Sequence, residues 1–438
     1  MSIPNFPKLS VSLHTVYSAI LLIIWVIIGA ALRFTGLGLK PPWTDELTTM
    51  IFSLGNTYQA IPLNQIISPE LLLQTLQPNP DAGVGEVIGL LLKEDVHPPL
   101  YFALAHLWQQ LFPTDKYLSV SVARSLPAIF GFLSIPATYW LGRVAFKSRL
   151  VAHFSAAMMT VSPYAIFLAQ EARHYTLAII FVILSLGCLA IAIKCLWQSH
   201  TIPLIYILLW LFSNSFGFAT HYFFCLTLIA EAITLLVVLV QIWRKKRRFI
   251  QVKNIWLLSA LGMGTFASGL VWLPSFITNK STVASTDWIQ SDLGTIWTWF
   301  NPPFQALAAW ITMLSLLPVE VKHLPIVIAS GAIMLLFFVR VLPSLWQGFI
   351  AGRSEFIIIN VFASFVVISI ALFFLITYLF GVDLTRGARY NFVYFPGIIV
   401  ILGASLAACW QQEKIAGSRE KGVGSWEQGV GSREREGM

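Results

Sequence analysis

Ten long runs of apolar residues limit what this chain can fold into. Each is long enough to cross the hydrocarbon core of a bilayer as a helix, which takes about 20 residues. Only 11% of the 438 residues are charged, against roughly 25% in an average soluble domain. Because backbone groups in lipid must bond internally, the pattern predicts an all-α polytopic membrane protein. The runs lie at 15–34, 118–143, 150–167, 175–197, 202–219, 224–243, 255–275, 324–343, 355–380 and 391–410.

Two shorter apolar runs, 98–112 and 302–318, decide the number of spans and the orientation. Loops on the cytoplasmic side of membrane proteins carry an excess of Lys and Arg. If neither short run crosses the bilayer, every basic cluster between the long runs falls on the cytoplasmic side, including "RKKRR" at 244–248. We therefore expect ten spans plus helices lying at the outer surface, or twelve spans if both short runs cross.

This topology divides the chain into three parts. Residues 1–14 form a cytoplasmic N-terminus, and 15–410 form the membrane domain, with outer loops at about 35–117 and 276–323. The Gly/Ser/Arg/Glu-rich segment 411–438, which repeats "GVGS" and "GSRE", is predicted to be a disordered cytoplasmic tail. Since the basic residues act as orientation signals, the net charge of +8 does not indicate a nucleic-acid partner.

Ionisable and aromatic side chains that the orientation signals leave unexplained converge on the outer face. Ionisable groups at membrane level are costly, which makes them functional candidates. For many of these side chains a purely structural function is the alternative, such as capping a helix, holding a turn by an ion pair or packing at the membrane interface. The candidates are Asp45, Glu46, Asp95, His97, Arg124, Glu171, Arg173, His174, His221, Tyr222, Arg386, Arg389 and Tyr390.

The carboxylates and arginines among these candidates favour phosphate chemistry. Asp45 and Glu46 in "KPPWTDELTTM" could supply a general base, although Thr44 and Asp45 are also good helix caps. Arginines on the outer face oppose the positive-inside trend, and the simplest anionic partner at an interface is a lipid phosphate. Arg124, Arg173, Arg386 and Arg389, with Tyr390, are therefore predicted to bind a donor phosphate.

"DVHPPLYF" at 95–102 places a carboxylate and a histidine directly before an apolar stretch. Proline is tolerated in the first turn of a helix, so Pro98 and Pro99 are expected to begin one. Asp95 and His97 would then lie just outside it and face donor, acceptor or metal. The same substrate-proximal or metal-proximal role is predicted for Glu171 and His174 in "QEARHY" and for His221 and Tyr222 in "THY".

Taken in order along 15–410, these motifs resemble the GT-C superfamily of membrane glycosyltransferases. "DVHPPL" is similar to a motif of the protein O-mannosyltransferases, and the chain as a whole resembles the bacterial glycosyltransferase-39 or ArnT/Rgt-like branch. Besides "HPPL", the resemblance uses Asp45-Glu46, Arg124 before "SLPAIFG", the "QEARHY" turn and Arg389-Tyr390.

The resemblance implies a GT-C-type bundle of about 10–12 transmembrane helices, with surface helices in the first outer loop. It also implies inverting transfer of a sugar from a polyprenyl-phosphate donor to a lipid, glycan or protein acceptor on the outer or lumenal face. Asp45 would be the base or acceptor-orienting group, and the arginines would hold the donor phosphate. Some members bind a divalent cation near the second carboxylate, where this chain has Val96 instead of Glu.

Two other classes of function stay open at this point. A transporter or flippase of an anionic lipid or lipid-linked sugar would bind a similar molecule without chemistry. Such proteins more often show internal repeats and polar residues at mid-membrane, whereas the unexplained charge here lies at one face. A structural subunit of a membrane complex would tolerate replacement of Asp45 and Arg389.

Overall fold

Each long apolar run forms a helix. A computed structural model describes residues 13–62, 64–95, 97–114, 116–246, 250–272, 287–290, 295–319, 321–355 and 357–433, with side chains to residue 414. Helices α1–α8 are Leu13–Phe34, Thr44–Ser53, Pro69–Leu73, Val84–Glu94, Leu100–Gln110, Val120–Phe146, Arg149–Val161 and Pro163–Ala169. Helices α9–α16 are Tyr175–Trp197, Leu204–Thr220, Phe224–Lys246, Val252–Leu270, Ile296–Thr312, Leu324–Glu355, Ile357–Phe380 and Phe395–Arg433.

The predicted all-α, multi-pass membrane bundle is confirmed. Within the described part of the chain, seven helices are long and apolar enough to span a bilayer, and the bent pair α7–α8 makes an eighth. The runs at 202–219 and 255–275 form α10 and α12, of 17 and 19 residues. If α10 and α12 are counted as spans together with these eight, the total is the ten spans expected when the two short runs do not cross.

A bend of 57° separates α7 from α8. Proline at position 163 has no N–H for the helical ladder, so the chain turns there and Ser162 caps the new helix. At the same level the buried Arg33, near the end of α1, donates to the carbonyls of Met159 and Thr160 at 2.8 and 3.1 Å. These contacts fix the start of the first outer loop against the end of α7.

Helix α9 is the centre of the bundle. It is apolar on all sides, and 83% of its spanning window is buried, as expected for a helix enclosed by others. It packs on α6 and α10, while α6 also packs on α7 and α16 packs on α7 and α14. The "QEARHY" turn directly before α9 is thereby held at one end of the bundle core.

Short helices build the first outer loop, as predicted. Helices α2, α4 and α5 pack on one another over that end of the bundle. The 98–112 run forms α5, an 11-residue helix whose N-cap is Pro99, so the two prolines lead into a helix as expected. Within this loop, Leu63, Val96 and Asp115 lie outside the described residues.

The chain returns to this end of the bundle after α15. Two short 3₁₀ helices, Leu384–Arg386 and Ala388–Val393, bring the "TRGARYN" segment beside the first outer loop before α16 begins. Helix α16 continues to Arg433, into the segment for which composition predicts a disordered tail. Whether 411–438 acts as a cytoplasmic tail stays a prediction. In the second outer loop, 276–286, 291–294 and 320 lie outside the described residues.

Candidate active site

The two carboxylates at the start of α2 have different environments. Glu46 turns back to accept the backbone N–H of Trp43 at 3.4 Å, which caps the helix. The predicted alternative, a cap supplied by Thr44 or Asp45, is therefore replaced by a cap from Glu46. Asp45 keeps its carboxylate for other contacts, and its side chain is 33% exposed. The first outer loop thus supplies one buried and one accessible carboxylate.

Glu46 forms a bidentate pair with Arg124 on α6. Arg124 Nε and Nη2 each donate to Glu46 at 2.7 Å, and both side chains are buried. The backbone N–H of Ala172 donates to the same carboxylate at 2.7 Å. The remaining donors of Arg124 reach carbonyls of the turn after α1, at Leu37, Lys40 and Pro41.

This geometry bears on the roles predicted for Arg124 and Glu46. A guanidinium has five N–H donors, and all five of Arg124 are used within the protein. Arg124 would have to release some of these bonds to bind a phosphate, and its phosphate-binding role stays a prediction. The contacts of Glu46 join α2, α6 and the "QEARHY" turn, and its catalytic role likewise stays a prediction.

Asp45 lies between two arginines. Its Oδ2 is 3.4 Å from Arg389 Nη2 and 3.8 Å from Arg173 Nη2. Arg173 is 1% exposed and also donates to the Asp45 carbonyl and to the Thr49 hydroxyl, each at 2.9 Å. The Nε atoms of both arginines are buried without a hydrogen-bond partner. The buried Arg173 and the partly buried Arg389 therefore share one carboxylate, and each retains an unused donor.

Asp95 and His97 extend this arrangement through Arg173. His97 Nδ1 lies 3.0 Å from Asp95 Oδ1, and His97 Nε2 lies 2.9 Å from Arg173 Nη2. Because a guanidinium can only donate, Nε2 is the acceptor and Nδ1–H donates to Asp95. We call Asp45, Asp95, His97, Arg173 and Arg389 the Asp45 cluster. The structure thus brings together residues that lie far apart in the sequence.

Aromatic rings hold Arg389 in place. Its guanidinium carbon lies 4.7, 4.9 and 5.4 Å from the ring centroids of Trp43, Trp288 and Tyr390, within cation–π range. Burial raises the pKa of the Tyr390 hydroxyl, so this residue stays protonated and neutral. Sequence reasoning missed Trp288 as a site residue. Its signal was a tryptophan beside a charged residue in an outer loop, "TDWIQ".

His174 and His221 are buried side chains that pack next to the Asp45 cluster through His97. Their ring centroids lie 4.7 Å apart, and His97 lies 5.5 Å from His174. Burial, followed by the charge of Arg173, lowers the pKa of His174 well below its usual value, and burial does the same for His221. Neither ring nitrogen of the fully buried His174 has a hydrogen-bond partner. Both histidines are neutral at physiological pH.

Two predicted site residues have contacts outside this cluster. Arg386 donates from Nη1 to the carbonyls of Trp288 and Gln290, at 2.8 and 2.9 Å. It therefore holds the segment that carries Trp288, and its Nε also lies 3.5 Å from Asp383 Oδ2. Phosphate binding by Arg386 stays a prediction. Tyr222 packs on Phe218 of α10, at a centroid distance of 5.6 Å.

A divalent cation, which the resemblance implied for some family members, is not accommodated by these residues. Both ring nitrogens of His97 are already used, by Asp95 and Arg173. The part of the chain that the structure describes contains no group of three or more His, Cys, Asp or Glu side chains placed to hold a metal. Val96, the position that differs from related transferases, lies outside the described residues.

Glu171 is a second buried carboxyl near the cluster, with an exposed fraction of 8%. Burial and then the charge of Glu46 raise its pKa to about 7, against the opposing effect of Arg389, Arg173 and Arg124. One of its oxygens, Oε2, has no hydrogen-bond partner. Glu171 therefore changes charge near neutral pH.

The raised pKa of Glu171 predicts a pH-dependent stability. Between the unfolded pKa of 4.5 and the folded value of about 7, the native state holds a proton that the unfolded chain has released. The stability of the wild type should therefore fall across this window, by up to about 3 kcal/mol at 1.36 kcal/mol per pKa unit. Glu171→Gln should lack this pH-dependent loss of stability. The difference in free energy of unfolding, variant minus wild type, should therefore grow from pH 5 to pH 8, as measured by denaturant titration in detergent. A difference that does not depend on pH would contradict the raised pKa of Glu171.

Comparisons with known proteins identify the fold. Neither the comparison with protein-family models nor that with curated proteins found a match. Among solved structures, ArnT from Cupriavidus metallidurans bound to undecaprenyl phosphate aligns with a TM-score of 0.50 at 14% identity. The alignment covers 92% of this chain and 64% of ArnT, so the chain spans less than two thirds of the length of that protein.

Two structures of the oligosaccharyltransferase from Archaeoglobus fulgidus also align, each with a TM-score of 0.47. One, named AglB, is a complex with an inhibitory peptide and a dolichol-phosphate, at 14% identity over 93% of this chain and 52% of that one. The other is a complex with Zn and sulfate, at 16% identity over 88% and 48%. The likeness to ArnT shows that the two proteins share a fold, as the resemblance in sequence motifs predicted.

Proposed function

We propose that this protein transfers a sugar from a polyprenyl-phosphate-linked donor to an acceptor hydroxyl at the membrane face that carries the Asp45 cluster. One observation carries the proposal. The Asp45 carboxylate lies between Arg173 and Arg389, two guanidinium groups whose buried Nε–H donors are unused. The GT-C fold supports the class of enzyme, and the cluster supports the chemistry.

The unused donors of the cluster favour a phosphate ligand. Arg173 and Arg389 carry two positive charges, and Asp45 is the carboxylate within 4 Å of both. Asp95, bonded to His97, supplies a second negative charge to the cluster. The buried Nε–H groups of both arginines have no hydrogen-bond partner. A phosphate would accept these unused N–H groups.

The same arrangement suits displacement at a sugar carbon. The bond between the anomeric carbon and the phosphate oxygen breaks, and the arginines stabilise the charge that develops on the leaving phosphate. The acceptor oxygen forms the new bond while Asp45 orients its hydroxyl and takes its proton. Retention of configuration would need a second free carboxylate as nucleophile. Because Glu46 is bonded to Arg124, a single inverting displacement is proposed.

The lipid of the donor is proposed from the fold relationship. ArnT, which shares the fold, was solved with undecaprenyl phosphate bound. A polyprenyl phosphate would keep its chain in the bilayer and place its phosphate at the arginines. Orientation by the positive-inside rule puts the Asp45 cluster on the outer or lumenal face.

A transfer assay tests the proposal. Purified protein in lipid nanodiscs receives radiolabelled polyprenyl-phosphate sugars, and release of free polyprenyl phosphate is measured with lipid, glycan and peptide acceptors. We expect release with at least one donor. Saturable donor binding without release across the complete panel would overturn the transferase proposal and favour the transporter alternative.

Arg389→Lys should weaken donor binding. Lysine keeps the positive charge but loses the planar fork and the stacking on Trp43 and Trp288. A charge-assisted hydrogen bond contributes about 1.5–3 kcal/mol, so the KM for the donor should rise about 10-fold to 100-fold, with a smaller change in kcat. The matched control is Arg353→Lys, since Arg353 also stacks on a ring, Phe349, at 5.7 Å, but in α14. Equal effects of both substitutions would argue against a donor contact by Arg389.

A further inference from the structure

A separate cavity of about 270 Å³ lies beside the Asp45 cluster, and we call it the Glu171 cavity. Its walls are the turn at 35–41 after α1, Trp43, the Glu46–Arg124 pair and the end of α8 through Glu171. At about 30 Å³ for each water-sized group, the cavity has room for roughly nine such groups. That is enough for a small polyol headgroup or a sugar ring.

Two buried polar atoms of the cavity walls have no partner. Trp43 Nε1 is a donor without an acceptor, and Glu171 Oε2 has no partner either. Glu171 is 92% buried, at 8% exposure. Buried polar groups are nearly always hydrogen-bonded, so each exception requires an explanation. A ligand that completes this cavity must both donate and accept, as a hydroxyl group does.

Most other polar groups of the cavity are already bonded. All the donors of Arg124 are used within the protein, and Gln170 Nε2 donates to the carbonyls of Leu32 and Thr35 at 3.1 and 3.0 Å. The Glu46 carboxylate and the Arg124 guanidinium neutralise each other, and Lys40, which also lines the cavity, is balanced by Glu171 when that carboxyl is ionised. With two cations and two carboxylates, the lining favours an uncharged, hydroxyl-bearing group over a phosphate.

The rim of the cavity carries exposed apolar side chains. Leu39 is 86% exposed and Phe167 is 50% exposed, and both line the cavity. Leu39 follows the end of α1, a candidate spanning helix, and Phe167 lies in α8, part of the bent pair that makes a further candidate span. A ligand that enters past these side chains can leave an apolar chain in the membrane.

Trp43 connects this cavity with the Asp45 cluster. Its ring stacks on Arg389 at 4.7 Å, while the same residue lines the cavity and leaves Nε1 without a partner. Asp45 and Glu46 are consecutive residues of α2, and only Glu46 lines the cavity. The cavity and the Asp45 cluster therefore share Trp43 and meet at the first turn of α2.

We propose that the Glu171 cavity binds the headgroup of a lipid with an uncharged polyol head, and that this lipid is the sugar acceptor. The assignment of the lipid as acceptor rests on the proposed transferase function. Glu171 and the indole N–H of Trp43 would each bond to a hydroxyl of the headgroup. A second hydroxyl of the same headgroup would be presented to Asp45.

Photolabelling tests the binding site independently of turnover. The probe is a monoacylglycerol with a diazirine in its headgroup, added to purified protein in lauryldimethylamine oxide, a detergent without hydroxyl groups. Adducts are mapped by mass spectrometry. We expect labelling of 35–43 and 167–171, with competition by octyl glucoside. Labelling elsewhere, or at these segments without competition, would overturn the proposal.

Variants identify the contacts. Glu171→Leu, of similar volume, should reduce labelling at least about tenfold, and Glu171→Gln should retain most of it because an amide still donates and accepts. Glu231→Leu is the matched control, since Glu231 is a buried glutamate with one unpartnered oxygen in another cavity. If Glu171→Leu fails to fold, Trp43→Phe removes the N–H and keeps a ring. Undiminished labelling in Glu171→Leu, or in Trp43→Phe where that variant is used, would overturn the proposal.

Turnover distinguishes the two proposals. Release of polyprenyl phosphate that increases with monoacylglycerol in wild type, and not in Glu171→Leu, would support the lipid as acceptor. Release with glycan or peptide acceptors alone would leave the transferase in place and overturn the acceptor assignment. Labelling of the cavity without release from any donor would reject the transferase function, and the acceptor assignment with it.

Discussion

Replacing Asp45 with asparagine should lower kcat by about 10²–10⁴, the usual contribution of a positioned general base. The side chain keeps its size, so α2 and its contacts should persist. The donor KM should stay the same or fall, because Asp45 no longer competes with the donor phosphate for Arg173 and Arg389. Steady-state release of polyprenyl phosphate at varied donor concentration measures both quantities.

The direction of the KM change makes this prediction specific. A substitution that merely disturbed the site would lower kcat and raise KM together. Asp81→Asn, at an exposed position of the same outer loop, is the matched control and should behave as wild type. A kcat within about threefold of wild type in Asp45→Asn would remove Asp45 from the role of base and leave only an orienting function.

The helices and the face that carries the site could be predicted from sequence because both depend on local properties. Apolar runs specify membrane helices since lipid permits little else. The excess of Lys and Arg in cytoplasmic loops leaves the functional charges on the other face. Asp45, His97, Arg173 and Arg389 were therefore identified as a group before their contacts were known.

The division of labour among these charges could not be predicted, because it depends on long-range contacts. Arg124 and Arg389 look alike in sequence, each an outer-face arginine near an apolar helix. The turn after α1 places three carbonyls around Arg124, so that its donors are bonded within the protein. Arg389 instead meets Trp288, from a loop about 100 residues earlier in the chain. No local pattern distinguishes the two cases.

Arg124→Met should be the most destabilising single change at the site. It leaves the Glu46 carboxylate buried, at 1% exposure, without its partner. Removing one member of a buried ion pair costs about 3–5 kcal/mol. Denaturant titration or thermal unfolding in detergent measures the loss. A decrease below about 1 kcal/mol would show that water reaches Glu46 and that the pair is not truly buried.

The double variant Glu46→Leu/Arg124→Met separates stability from positioning. Replacing both members of a buried pair with apolar residues is often neutral, so most of the lost stability should return. Activity should not return, because Glu46 also accepts the N–H of Ala172, the residue before Arg173, and caps α2, the helix whose second residue is Asp45. The pair thereby sets the distance between the proposed base and the arginine that would bind phosphate. A double variant that recovers both stability and kcat would show that the remaining contacts, chiefly those of Arg173 to the Asp45 carbonyl and to Thr49, are sufficient to position Asp45.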